Sequence, residues 1–265
     1  MARSTQEEAL PDISADGQLV FSSARTGSRQ LWVCLPGCAE PRQITNFPER
    51  QTEITSRWSP DGRRIVFGAT VEGRPSLMVA GSDGIQPRVL SAGTGEGAPS
   101  WSVDGRFVYY HSDRSGRLEI WRVPAAGGAP EQITRQGGEE AFESADGTEL
   151  LLIRANDNAT VWRHSLANGT ESPVEGMAHV RRRTWRPVGR GILHWTEHLK
   201  NRPPSLLRFD LDTKQSQEVV SGNPGTRVQS FSANAKGQMV WSDQKAREDD
   251  LKAVDLTFRP FWKFF

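Results

Sequence analysis

The chain has 265 residues, a formal net charge of +1 from 33 Lys and Arg against 32 Asp and Glu, and 25% charged residues. This is globular composition at a length that supports a full core, which excludes a disordered or collagen-like chain. Near-zero net charge argues against bulk nucleic-acid binding, which draws on many phosphate contacts; no run of about 18 apolar residues offers a membrane span; two cysteines are too few for a four-ligand zinc site.

The 9 Trp, 25 Gly and 16 Pro point to short strands punctuated by turns rather than to helices. In chain order one phrase recurs: Ser14-Ala15-Asp16-Gly17, Ser59-Pro60-Asp61-Gly62, Ser102-Val103-Asp104-Gly105 and Ser144-Ala145-Asp146-Gly147. Two degraded copies follow, with Val188 and Asn234 in the Asp position. These anchors at 16, 61, 104, 146, 188 and 234 define six repeats. An apolar residue stands three before most anchors (Ile13, Trp58, Trp101, Trp185, Phe231), and the Asp-Gly pair makes a tight turn. A β-rich run comes next, as in Ile65-Val66-Phe67 and Phe107-Val108-Tyr109-Tyr110, then a third strand such as Leu31-Trp32-Val33. A short fourth strand, Gln43-Ile44-Thr45 or Gln132-Ile133-Thr134, closes most copies. Four strands in this period is the signature of a propeller blade. The expectation is an all-β, single six-bladed β-propeller with four-stranded blades over 6–45, 46–90, 91–134, 135–175, 176–220 and 221–259. Residues 1–5 are expected to supply the closing strand of the last blade, and 260–265 form an aromatic tail.

Trp58-Ser59-Pro60-Asp61-Gly62, the Ile-Val-Phe strand, Leu31-Trp32-Val33 and Gln43-Ile44-Thr45 together resemble the WD-like repeats of TolB-type six-bladed propellers. His111-Ser112-Asp113-Arg114-Ser115-Gly116 followed by Glu119-Ile120-Trp121 is similar to the most typical blade of that family. The resemblance covers nearly the whole chain. It is nearest to propellers forming the C-terminal part of bacterial winged-helix regulators and kinases, and it implies a sensory or interaction module of a larger protein.

Several constellations could carry chemistry. His194-Trp195-Thr196-Glu197-His198 matches a zinc-protease pattern that needs a helix. On the strand expected here, residues four apart lie about 13 Å from each other, too far to share one ion. Gly93-Thr94-Gly95-Glu96-Gly97 lacks the Lys-Ser/Thr of a phosphate loop. No Gly-x-Ser-x-Gly nucleophile elbow is present, and the Asp-Gly carboxylates belong to different blades. Cys34 and Cys38 flank a Pro-Gly tip and could pair in an oxidising compartment, two free thiols being the plainer reading. Glu143 takes the slot that is apolar in the other repeats, either as a channel-facing ligand contact or as a carboxylate bonded to neighbouring backbone or Arg.

Seven or eight residues before each anchor the chain enters a blade at one mouth of the channel, and those positions read Glu8, Glu53, Glu96, Glu139, Arg181 and Arg227. Glu7, Glu140, Arg182 and Arg183 extend the pattern. Such a two-signed rim suits a charged peptide or protein partner. The sequence therefore reads as a non-enzymatic, monomeric protein- or peptide-binding scaffold with no cofactor, no metal and no direct nucleic-acid contact. The alternatives are a channel-site hydrolase or lyase and a stand-alone TolB-like periplasmic partner protein. Without a signal peptide in Met1–Leu10 the chain reads as cytoplasmic, or extracytoplasmic if an upstream anchored segment belongs to it.

Overall fold

The computed structural model describes residues 8–48, 51, 54–85, 87–154, 157, 159–196, 203–223, 226–245 and 248–255. The first sheet holds β1 (Glu8–Ile13), β2 (Leu19–Ser23), β3 (Gln30–Cys34) and β4 (Arg42–Gln43). The second holds β5 (Ser56–Trp58), β6 (Arg64–Val71), β7 (Arg74–Gly81) and β8 (Arg88–Ala92). The third holds β9 (Gly97–Trp101), β10 (Phe107–Ser112), β11 (Glu119–Pro124) and β12 (Glu131–Gln132). The fourth holds β13 (Glu140–Glu143), β14 (Glu149–Ile153), β15 (Val161–Ser165) and β16 (Glu171–Pro173). The fifth holds β17 (Trp185–Val188), β18 (Gly191–Trp195), β19 (Ser205–Asp210) and β20 (Ser216–Ser221). The sixth repeat makes a three-stranded sheet of β21 (Val228–Ala233), β22 (Gln238–Lys245) and β23 (Glu248–Asp255). Each sheet is an antiparallel meander in chain order, the arrangement of a propeller blade.

The expectation of six four-stranded blades thus needs correction: five sheets have four strands, and the last has three among the described residues. The proposed closing strand at 1–5 and the tail at 260–265 lie outside the described residues. The last and first sheets nevertheless touch through their innermost strands, β21 against β1.

The repeat phrase builds the first hairpin of each blade. Gly62 N–H donates to the Ser59 carbonyl at 2.9 Å and Gly105 N–H to that of Ser102 at 2.9 Å. Both glycines sit at positive φ, 66° and 69°, where a side chain would be strained. The Ser hydroxyls donate to the Asp carboxylates, Ser102 to Asp104 at 2.7 Å and Ser144 to Asp146 at 2.7 Å, so the phrase is a self-contained turn.

Apolar residues then pack between neighbouring sheets. Val20 and Leu31 of the first meet Trp58, Ile65 and Phe67 of the second, and Phe142 and Leu151 of the fourth meet Trp185, Ile192 and Phe209 of the fifth. Phe142 and Trp185 stack edge to face with centroids 5.0 Å apart. Blade-to-blade burial of this kind joins neighbouring sheets and leaves the innermost strands to line the axis.

Of the two readings left open for Cys34 and Cys38, the pairing holds and the plainer one, free thiols, does not. The two form a disulfide with Cα atoms 5.0 Å apart across the turn after β3, because Cys38 at φ 46° turns back with its N–H on the Leu35 carbonyl. Among the described residues no helix is long and apolar enough to cross a membrane.

Candidate functional site at the two mouths of the channel

Inner strands β1, β5, β9, β13, β17 and β21 face the axis, and a cavity opens at each end. At the end where these strands begin, a cleft of about 200 Å³ is lined by Glu96, Gly97, His111, Arg182 and Arg183, with Thr55 and Ala69 of the second sheet. Glu96 is buried and ion-paired with Arg114, whose guanidinium also reaches the Ser91 hydroxyl at 2.6 Å. Arg114 in turn covers the Trp121 ring, its guanidinium carbon 5.0 Å from the centroid. The Glu96 charge is therefore held on the third blade's wall rather than spread over the surface. His111 lies beside it with Nδ1 2.6 Å from the Glu139 carbonyl, and burial lowers its pKa, which keeps the ring neutral.

The other predicted rim residues fall as follows. Glu139 is half-buried directly before β13, Arg182 is half-buried, and Arg181 and Arg227 are exposed. Glu140, a neighbour in the pattern, is buried and accepts from the backbone N–H of Arg183 at 2.9 Å and from Trp185 Nε1 at 2.9 Å. Glu8 opens β1, and Glu7 and Glu53 lie outside the described residues.

At the opposite end, where the inner strands run out, a cavity of about 330 Å³ takes lining from all six sheets, among them Asp12, Arg57, Ser100, Glu143, Arg186 and Ser232. Asp12 is the hub. Its carboxylate accepts from the Trp58 backbone N–H at 2.8 Å, the Ser232 hydroxyl at 2.5 Å and Arg186 Nη2 at 3.2 Å. One buried carboxylate thus ties the first sheet to the second, fifth and sixth. Arg186 lies over the Phe142 ring at 4.2 Å. Burial first, then the like charge of Arg57, pushes its pKa down to about 9, against the opposing pull of Asp12 and Glu140; it stays cationic at neutral pH. Arg57 lies 3.8 Å from Glu140 through Nη2 and donates Nη1 to the Ser56 carbonyl at 2.8 Å.

Glu143 proves to be a bonded carboxylate that also lines this cavity. It accepts from the Val103 N–H at 2.5 Å and from the Tyr109 hydroxyl at 2.8 Å, clasping the fourth blade to the third. Desolvation and the neighbouring Glu143 charge raise the Tyr109 pKa well above the usual phenol range.

His194 sits on strand β18, as the zinc-motif argument required, while Glu197 and His198 lie outside the described residues. Burial alone pushes its pKa down to about 4. Among the described residues no group of three or more His, Cys, Asp or Glu is placed to hold a metal ion.

Sequence reasoning missed Asp12, Arg57 and Arg186. The signal was present in the repeat frame. Asp12, Arg57 and Ser100 each stand four before their anchor, while Arg186 stands two before and takes the slot that is Ser in the other five repeats. Positions two apart share a strand face, so these residues meet on the axis side.

Comparison with known proteins agrees with this architecture. The family model described as the TolB β-propeller domain matches residues 1–235. An uncharacterized protein of Agrobacterium fabrum is 29% identical over 156 residues, 57% of this chain and 52% of that protein. A TolB homolog of Chlorobium chlorochromatii is 31% identical over 141 residues, 52% of this chain and 31% of that protein. The matched stretch thus spans about half or less of these relatives' own length. Among solved structures, TolB from Acinetobacter baumannii superposes with a TM-score of 0.71 at 19% identity, over 84% of this chain and 56% of that one.

Proposed function

From the premise that the chain belongs to the TolB β-propeller domain family, we propose that it is a protein-binding scaffold that holds a charged peptide segment at the blade-entry mouth of its channel. One observation carries the reading: Arg182 and Arg183 before the fifth blade line the cleft with His111, whose ring bonds the backbone of half-buried Glu139 before the fourth, while Arg114 holds the buried Glu96 charge in its wall. Basic residues before the fifth blade and an acidic one before the fourth, at one mouth, orient a dipolar segment and speed its encounter. Arg181 and Arg227, both exposed, would extend the basic side of the rim.

In this reading the three-stranded last sheet is the sixth blade. The scaffold works either as a stand-alone TolB-like protein or as a module of a larger regulator. The Cys34–Cys38 disulfide favours the extracytoplasmic of the two locations considered above.

The test selects a displayed random-peptide library on the immobilised full chain. Peptides of mixed charge should be enriched, bind less tightly as salt rises, and lose affinity on Arg181→Glu with Arg227→Glu. Enriched peptides whose binding and salt dependence survive both reversals would sink the rim. Turnover of a small-molecule or glycan panel, compared with and without chelator, would replace it with a channel-site enzyme.

A further inference from the structure

The cavity at the far mouth carries an imbalance that the proposed peptide cleft does not use. Its carboxylates are spent: both Asp12 oxygens and both Glu143 oxygens already accept hydrogen bonds from named donors. Its donors are not. Arg57 Nε, Ser100 Oγ and Trp58 Nε1 are buried without a hydrogen-bond partner among the described residues. All three residues line this one cavity, and each is more than nine-tenths buried, at 8%, 3% and 6% exposure. Buried donors are nearly always paired in folded proteins, so three unpaired in one place need an explanation. A second guanidinium, Arg186, lines the same space close enough to Arg57 for the two to repel. Arg57 comes from the second blade and Arg186 from the fifth, so a group between them would be gripped from two walls. Arginine forks favour planar oxyanions, which take two parallel N–H bonds.

We infer that the cavity bounded by Arg57, Ser100, Trp58 and Arg186 is a carboxylate-binding site, opposite the blade-entry cleft. The carboxylate enters past Val103, a hydrophobic residue 47% exposed at the cavity rim. Its oxygens take the free donors of Arg57, Ser100 and Trp58, and its charge relieves the repulsion between the two guanidinium groups. The volume of about 330 Å³ admits a small dicarboxylate or one acidic side chain of a peptide. These are two sources of one chemistry.

The experiment is calorimetric titration of the full chain at fixed ionic strength with three probes: succinate, its uncharged diamide, and a glutamate-rich hexapeptide. Succinate or the hexapeptide is expected to bind and the diamide not to. Binding of succinate alone identifies a free dicarboxylate, and binding of the hexapeptide alone identifies a carboxylate carried on a chain. Arg57→Gln should weaken the binding probe about tenfold or more, the loss expected for a charge-assisted hydrogen bond. Because Arg57 also faces Glu140, folding of that variant is checked by its melting temperature. Val103→Trp, a change at the exposed rim, narrows the entrance without touching the buried charges and should block the same probe. The inference is overturned if neither carboxylate probe binds, if the diamide binds equally well, or if a folded Arg57→Gln chain and the Val103→Trp chain both bind as the parent does. None of these results bears on the peptide library, whose determinants are Arg181 and Arg227 at the other mouth.

Discussion

Asn234 in the last repeat donates its side-chain amide to the Ser14 carbonyl of the first at 2.8 Å, joining residues 220 apart in the chain. The same amide reaches Gln238 Oε1 at 2.8 Å, while its oxygen accepts from the Lys236 and Gln238 N–H groups. In the first four repeats Asp holds this place. An Asp can make the turn but has no N–H to give. What looks in the sequence like decay of the repeat is the donor that fastens the ring.

Restoring the consensus is therefore expected to harm the protein. Asn234→Asp sets an acceptor against the buried Ser14 carbonyl and should cost about 1–3 kcal/mol, the range for a buried polar group left unpaired. Urea unfolding, with the slope unchanged and the midpoint lowered, is the check. A variant as stable as the parent would mean that the contact does not hold the ring.

Glu143 gives a spectroscopic prediction, because Tyr109 and Tyr110 are the two tyrosines of the chain. Both have pKa values raised above 10.0, chiefly by burial. Ultraviolet titration should show no tyrosinate at the ordinary pH. Glu143→Gln removes the charge beside the Tyr109 hydroxyl and should move one of the two transitions down. The raised folded value means that this contribution to stability is complete below about pH 10 and is lost as pH rises toward the folded pKa. Glu143→Ala also takes the acceptor from the hydroxyl of buried Tyr109 and should destabilise by about 1–3 kcal/mol. An unmoved tyrosine transition in Glu143→Gln would break the assigned contact.

The turn carboxylates contribute to the acid limb. The Ser144 and Thr148 hydroxyls and the Thr148 N–H push the Asp146 pKa down to about 2, and Ser59 and Ser102 lower Asp61 and Asp104 in the same way. A depressed folded value means stability that is present above the unfolded pKa near 3.8 and is lost as pH falls toward about 2. These groups are largely solvent-exposed, so each contribution is small. The triple variant Asp61→Asn, Asp104→Asn, Asp146→Asn should show a flatter melting temperature between pH 4 and 2 than the parent. Equal slopes would rule out the turns as the acid-sensitive elements.

The Cys34–Cys38 disulfide closes a short loop. Loop-closure arithmetic for so few residues gives about 2 kcal/mol. Without reductant neither cysteine should react with an alkylating agent under denaturing conditions, and after reduction both should. The melting temperature should fall on reduction while the strand signature in circular dichroism persists.

Much of the fold was legible because its signals are local. Ser102-Val103-Asp104-Gly105 makes its own turn from hydroxyl, carboxylate and a left-handed glycine, so four residues announce a hairpin wherever they stand. Counting such turns yields the repeats, and the apolar residue before each, Trp58 or Trp185, announces an inner strand that packs against its neighbour. The strand under His194 was likewise legible, because an alternating apolar run of this length reads as extended chain.

Other features came only with the tertiary structure, because they depend on which blade faces which. Asp12 gathers donors from 58, 186 and 232, and no local pattern connects those positions. Glu96 reads as one acid of a rim, yet packing buries it against Arg114. Arg57 looks like a polar residue on a strand; only ring closure sets it across from Arg186, away from water and with a donor unspent. Short-range sterics and turn hydrogen bonds act within a few residues and are written in the sequence. Burial and electrostatics act across the channel, and their sign is decided when the ring closes.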